Sequence, residues 1–113
     1  MTDEIISFAD WQKLDLRIAE IKKVEDINGA DKLYKLTVDI GELGKRIVCA
    51  GLKPYYSKDE LKNKKIILFA NLEPRKLKRI ESQGMILAAV SDDESKVVLI
   101  SPGKDIEVGS RVK

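Results

Sequence analysis

The chain has 113 residues, 43% hydrophobic and 35% charged, with 21 Lys or Arg against 19 Asp or Glu and a formal net charge of +2. That is enough for one soluble globular domain with a single core, and no stretch approaches the roughly 20 apolar residues of a membrane span. One cysteine, Cys49, and no histidine exclude an intrachain disulfide, histidine-based catalysis and the usual Cys/His zinc sites.

The carboxylates are scattered and no Gly-rich phosphate cradle occurs, so neither an enzyme nor a bound cofactor or metal is expected. The opening Met1, Thr2, Asp3 and Glu4 lack the basic head and apolar core of a secretory signal, which predicts the cytoplasm.

Residues 5 to 13 begin with Ile5 and Ile6 and continue with Ser7, an N-cap residue with Asp10 three positions on. Phe8 and Trp11 are spaced to share one face of a short amphipathic helix. This arm is either a lid over one end of the core or a subunit contact, because Ile5, Ile6, Phe8 and Trp11 carry much apolar surface. From Leu14 the period becomes two. Leu14, Leu16 and Ile18, with Ala19 and Ile21, alternate against Asp15, Arg17, Glu20 and Lys22, and Val24 extends the strand past a bulge.

Asp26 to Asp31 is a polar turn in which Asn28 and Gly29 tolerate positive φ. Leu33, Leu36, Val38 and Ile40 mark the second strand. Gly41 to Gly44 then turns the chain into a third, Arg46 to Ala50, in which Cys49 is read as a small core residue. Ser57 with Glu60 three residues later is a capping box, so a short helix runs through Leu61 and ends at Asn63. Lys65 to Leu72 is the fourth strand. After a basic loop come the apolar run Met85 to Val90, a charged turn, a strand from Val97 to Ile100 and a tail carrying Ile106, Val108 and Val112.

The charge is local. Residues 61 to 81 hold seven Lys or Arg against Glu73 and Glu81, a net of +5, while residues 1 to 60 sum to −2 and residues 82 to 113 to −1. A surplus on one connector is a footprint for polyanions, because neutralising phosphates releases their condensed counterions. Lysine-rich loops also protect exposed sheet edges, and composition alone leaves both readings open.

Three strands, a short helix and further strands match the all-β, five-stranded OB-fold barrel, here one domain over residues 1–113 with short helices and N- and C-terminal extensions. In that fold the helix lies between strands three and four, and ligands meet the face of strands two and three and the loops after strands one and four. The basic segment is then the loop between strands four and five, with the turn Asp26 to Lys32 beside it. Tyr55 and Tyr56 either stack on bases or pack the helix onto the barrel.

The runs Asp15-Leu16-Arg17-Ile18-Ala19, Ala30-Asp31-Lys32-Leu33-Tyr34 and Gly51-Leu52 resemble a known family. Above all, so do Ala70-Asn71-Leu72-Glu73-Pro74-Arg75-Lys76-Leu77 and Glu81-Ser82-Gln83-Gly84-Met85. The family is the tRNA-binding domain appended to methionyl-tRNA synthetases, which also exists as a stand-alone structure-specific tRNA-binding protein and as the endothelial-monocyte-activating polypeptide module. The resemblance implies a non-catalytic barrel that binds the outside of folded tRNA, commonly as a homodimer, in support of a synthetase. By position it implies an RNA-binding set of Lys32, Asn71, Arg75, Lys76, Lys78, Ser82, Gln83 and Met85, with Lys53 and Arg79 beside them.

Arg and Lys suit phosphates, Asn71, Ser82 and Gln83 suit ribose or base edges, and Met85 offers an apolar platform. Each has a plainer alternative. Met85 opens an apolar strand, Gly84 relieves backbone crowding, and Asn71 caps the turn at Pro74. Ile5, Ile6, Phe8, Trp11, Ile106 and Val108 are the candidate dimer contacts. A related branch resembles a secretion-linked, peptide-binding chaperone on the same barrel, which supplies the alternative function.

Overall fold

The computed structural model of the chain describes residues 4–113, so Met1, Thr2 and Asp3 of the acidic start lie outside the described residues. The first strand, β1 (Leu16–Asp26), carries the architecture. Ala19 and Ile21 are fully buried in the main core, and the register with the next strand shifts between Ile21 and Lys23. That extra residue returns Val24 to the core, whereas strict alternation from Ile21 would have turned it away. The bulge is as the sequence predicts, but the phase differs. The main core takes Ala19 and Ile21, while Leu16 and Ile18 are buried on the strand's other face.

β2 (Tyr34–Asp39) buries Tyr34, Leu36 and Val38 in strict alternation, and Ile40 follows them into the core. Leu33 is out of phase with this set and packs instead against a smaller cluster of Ile27, Ala30 and Cys49. A 3-10 turn at Gly41–Leu43 leads into β3 (Lys45–Ala50), and a helical turn, α2 (Lys58–Leu61), follows. The predicted capping box is complete: the Glu60 N–H donates to Ser57 Oγ at 3.3 Å, and Glu60 Oε1 accepts from the Ser57 N–H at 2.8 Å. Leu61, fully buried, seals the core.

β4 (Lys65–Phe69) buries Ile66 and Leu68 and stops at Phe69, short of the expected Leu72, because the chain leaves the sheet at Ala70. The remaining strands are short: β5 (Arg75–Leu77), β6 (Ile80–Ser82), β7 (Met85–Ile86), β8 (Ala88–Val90), β9 (Val97–Leu99) and β10 (Arg111–Val112). The apolar run from Met85 to Val90 is therefore two strands, and it is not deeply buried: Met85 is 45% and Val90 54% exposed.

The sheet order is β3-β2-β1-β4-β7, all neighbours antiparallel, and β10 pairs with the start of β1. β3 then meets the segment around β6 and β7, giving a nearly closed five-stranded barrel of the OB type. Each large aliphatic side chain inside it contributes about 1.5–3 kcal/mol by leaving water.

The terminal segments are fastened outside this barrel. The arm helix, α1 (Phe8–Gln12), starts where predicted, with the Asp10 N–H donating to Ser7 Oγ at 3.1 Å, yet none of its residues is buried. It is no lid on the core. Arg111 donates to the carbonyls of Gln12 and Leu14, each at 3.3 Å, and Arg17 donates to the Gly109 carbonyl at 3.1 Å. Tyr55 and Tyr56 hold the segment before α2 on the barrel: Tyr55 donates to the Glu94 carbonyl at 3.0 Å, and Tyr56 Oη accepts from the Leu99 N–H at 3.1 Å.

Candidate nucleic-acid interface

The basic segment is a strand-paired hairpin rather than a loop. β5 and β6 pair Arg75 with Ser82, Lys76 with Glu81 and Leu77 with Ile80, which leaves Lys78 and Arg79 as a two-residue turn. Both turn residues have positive φ, 49° and 70°, as the tightest hairpin turns require. Asn-Gly is the usual occupant, and a longer side chain in the left-handed region costs roughly 1–2 kcal/mol. Two cationic side chains are thus held at the tip in a backbone that disfavours them.

Three sets of contacts fix the hairpin to the barrel. On one face Leu77 and Ile80 pack against Ile27, Ala30 and Cys49, joining it to the turn after β1 and to β3. At its return strand, Ser82 Oγ accepts from the Cys49 N–H at 3.0 Å and Gln83 Oε1 accepts from the Ile47 N–H at 3.0 Å. The Gln83 N–H donates in turn to the Ile47 carbonyl at 2.8 Å. These bonds satisfy the free edge of β3 and close the barrel. Arg46 adds a bond to the Ala70 carbonyl at the hairpin's root.

Gly84 follows with φ +138°, where a Cβ would lie 2.9 Å from the Phe69 carbonyl oxygen and 3.0 Å from Leu68 Cδ1. Backbone crowding is its reason, as the plainer reading of the sequence holds.

The structure divides the expected binding residues. Arg75, Lys76, Lys78 and Arg79 are exposed on the hairpin, and none makes an ion pair or side-chain hydrogen bond among the described residues. Lys32 is exposed on the neighbouring turn, where its carbonyl accepts from the Lys53 N–H at 3.2 Å. Met85 is exposed near the hairpin's base, beside Arg75, Leu77 and Leu72. Ser82 is only 5% exposed, with its hydroxyl engaged as above.

Asn71 is occupied too: Oδ1 accepts from the Asp15 N–H at 2.8 Å, and Nδ2 donates to the Lys13 carbonyl at 2.7 Å. It clamps the link between α1 and β1 rather than the turn at Pro74. Among the candidate dimer contacts, Ile5 is 95%, Ile6 66%, Phe8 70% and Ile106 42% exposed, while Val108 is half-buried. Phe8 and Trp11 also line a cleft of about 360 Å3 with Leu14, Arg111 and Val112.

The tip of the hairpin and the turn after β1 enclose an open groove of about 820 Å3 whose lining includes Lys35, Lys53, Lys78 and Arg79 together with Glu25, Asp26 and Asp31. The predicted neighbourhood of turn and basic segment is present. Lys35 is not in the set implied by the resemblance; its position between Tyr34 and Leu36, outward on the second strand, is the signal that points to it.

The +5 stretch is also divided. Lys62, Lys64 and Lys65 stand before or at the start of β4 and the hairpin departs beyond its end, so only Arg75, Lys76, Lys78 and Arg79 serve this face. Asp26 binds Lys53 at 3.1 Å and Lys58 at 2.9 Å, and the hydrogen bonds from Lys58 and then Lys53 hold its carboxyl below the usual carboxylate range. Burial pushes the Cys49 thiol up, so it stays protonated and unreactive beneath the hairpin. No group of three or more His, Cys, Asp or Glu able to hold a metal occurs among the described residues.

Comparison with known proteins shows the family. The family model described as "Putative tRNA binding domain" matches residues 16–111. The methionine–tRNA ligase of Thermococcus onnurineus is 50% identical over 110 residues, 97% of this chain but 15% of that protein, so the chain spans only a small part of such relatives. A MetRS-related protein from Pyrococcus horikoshii superposes with a TM-score of 0.90 at 35% identity, covering 97% of this chain and 99% of the other. The CsaA chaperone protein from Picrophilus torridus does so with a TM-score of 0.86 at 34% identity, covering 96% of this chain and 100% of the other. With its OB-type barrel, its basic hairpin and a match from Leu16 to Arg111, the chain belongs to the tRNA-binding domain family, related to the domain appended to methionyl-tRNA synthetase.

Proposed function

We propose that the chain is a non-catalytic, structure-specific tRNA-binding module that grips the outside of folded tRNA in the cytoplasm, as a homodimer, and assists a synthetase such as methionyl-tRNA synthetase. The observation that carries this reading is the hairpin. Arg75, Lys76, Lys78 and Arg79 make no ion pair among the described residues and stand on a projecting hairpin, whereas Lys65 is paired with Asp105, and Lys53 and Lys58 share the single charge of Asp26. Unpaired cations at fixed positions read the spacing of phosphates, and with it the shape of a folded RNA, without reading base sequence.

In this reading Lys35 and Lys53 extend the phosphate track into the groove, Lys32 continues it on the neighbouring turn, and Met85 meets an exposed base. Asn71, Ser82 and Gln83 support the surface from behind by fixing the hairpin's root and return strand. The exposed Ile5, Ile6, Phe8 and Trp11 meet a second copy, with Ile106 and Val108 as further contacts. Two barrels on a twofold axis double the phosphate contacts and gain from effective concentration.

The test is a titration with folded tRNA, single-stranded RNA and duplex DNA of matched length, followed by fluorescence anisotropy from low to physiological salt. Preference for folded tRNA that survives added salt supports the reading. Equal, steeply salt-sensitive binding to all three overturns it. The structural likeness to CsaA and the exposed Val90, Val98 and Ile100 favour one rival, a peptide-binding chaperone. Suppressed aggregation of an unfolded protein, undiminished by excess tRNA, would establish that rival.

A further inference from the structure

We propose that Asp26 is a resident counterion of the groove: its carboxylate competes with RNA phosphate for Lys53, and so sets the strength and salt sensitivity of polyanion binding. This rests on the tRNA-binding reading for its natural ligand, though the competition applies to any phosphate chain. Asp26 ends β1, where the chain enters the turn that forms one wall of the groove. Its two oxygens are divided between two ammonium groups, Oδ1 to Lys53 Nζ at 3.1 Å and Oδ2 to Lys58 Nζ at 2.9 Å.

Lys53 is the one that matters for binding, because it lines the groove together with Lys35, Lys78 and Arg79, whereas Lys58 does not. Lys53 therefore starts partly neutralised, sharing one carboxylate charge with Lys58, unlike Lys78 and Arg79 in the same groove. A phosphate entering the groove must draw Lys53 from a carboxylate that remains 54% exposed and close to the incoming charge. The other acids of the groove do not do this. Glu25 lies 3.8 Å from Lys23, on its own strand, and Asp31 makes no ion pair among the described residues.

The arrangement lets the turn after β1 temper a surface that would otherwise bind any polyanion. A carboxylate that keeps one groove cation occupied lowers the gain from loose, unshaped contacts. A folded RNA that engages the hairpin as well retains enough contacts to displace it.

The experiment compares Asp26→Asn with Asp31→Asn, which makes the same charge change in the same groove but releases no lysine. Binding of folded tRNA and of linear polyphosphate is measured from about 0.1 to 1 M salt. One additional phosphate contact steepens the log–log salt slope by about 0.7–0.9, so D26N should bind about 5- to 8-fold more tightly near 0.1 M, converging with the unsubstituted protein near 1 M. D31N should show less, and Lys53→Ala in the D26N background should remove the gain.

A purely structural role for Asp26 predicts a lower unfolding temperature with binding unchanged or weaker. That outcome, or a gain no larger than that of D31N on both probes, overturns the proposal. If the unsubstituted protein shows no preference for tRNA, the tRNA reading falls, while a D26N gain on polyphosphate still supports the counterion.

Discussion

Replacing the turn Lys78-Arg79 by Asn-Gly separates what the hairpin costs the fold from what it gives the ligand. Both positions have positive φ, at 49° and 70°, and both side chains are exposed and unpaired. Relief of two left-handed residues at roughly 1–2 kcal/mol each, less the strain Asn keeps and the 0.5–1 kcal/mol of entropy that Gly adds to the unfolded chain, leaves a gain of about 1 kcal/mol. For a chain of this size that raises the unfolding midpoint by about 4 °C. The same change removes two cations from the groove. With about 0.7–0.9 of salt slope lost per phosphate contact, tRNA affinity near 0.1 M salt should fall about 25- to 60-fold relative to the high-salt limit. Differential scanning calorimetry and anisotropy on one preparation read both quantities. A variant that is more stable yet binds tRNA with an unchanged slope would remove the hairpin tip from the interface, and one that is less stable would refute the strain argument.

The other predictions concern the supports. Ser82→Ala strips the buried Cys49 N–H of its acceptor and should cost about 1–3 kcal/mol in denaturant unfolding, with the salt slope of tRNA binding unchanged. Gly84→Ala drives a methyl to 2.9 Å from the Phe69 carbonyl at φ +138° and should destabilise by more than about 2 kcal/mol; wild-type stability would deny that crowding. Trp11→Ala should shift sedimentation towards monomer, and an undisturbed dimer would move the interface off the arm.

The pH dependence follows from four lowered carboxylates. Asp26 is held down by Lys58 and Lys53, Glu60 by the Ser57 N–H, Asp93 by the Ser95 N–H and Asp105 by Lys65. Groups lowered on folding stabilise above their unfolded value, near 4, and lose that contribution as pH falls through the folded one. With no histidine in the chain, the melting temperature should stay flat between about pH 5.5 and 8 and drop below about 4. A marked slope in the neutral range would contradict this.

What could be read from the sequence was set by short-range chemistry. The Ser57–Glu60 capping box, the Ser7 cap and the alternation through β2 each depend on residues a few positions apart, and all three stand in the structure. The hairpin escaped because its turn lacks the Asn or Gly that ordinarily marks one. Lys78 and Arg79 read as charge, not as geometry. The resemblance assigns Ser82 and Gln83 to ligand contact, whereas their side-chain partners, the Cys49 and Ile47 N–H groups, lie 33 and 36 residues away, pairings that composition cannot see. Asn71 reaches 58 residues back, to Lys13. The division of the basic stretch between the two ends of β4 is a matter of strand length, which the over-extended reading to Leu72 concealed.

The pairing of β10 with β1 bears on how the molecule acquires its shape. Leu16 lies opposite Val112 and Arg17 opposite Arg111, while the Ile18 backbone bonds to both Gly109 and Ser110. The strand at the heart of the barrel thus takes its last partner from nearly a hundred residues downstream. Such non-local closure is entropically slow, so the barrel's centre can condense around β1, β2 and β3 well before this edge is covered. A nascent chain synthesised only as far as Leu99 would hold a short, open stretch of β1, and this edge is covered only when β10 zips onto it.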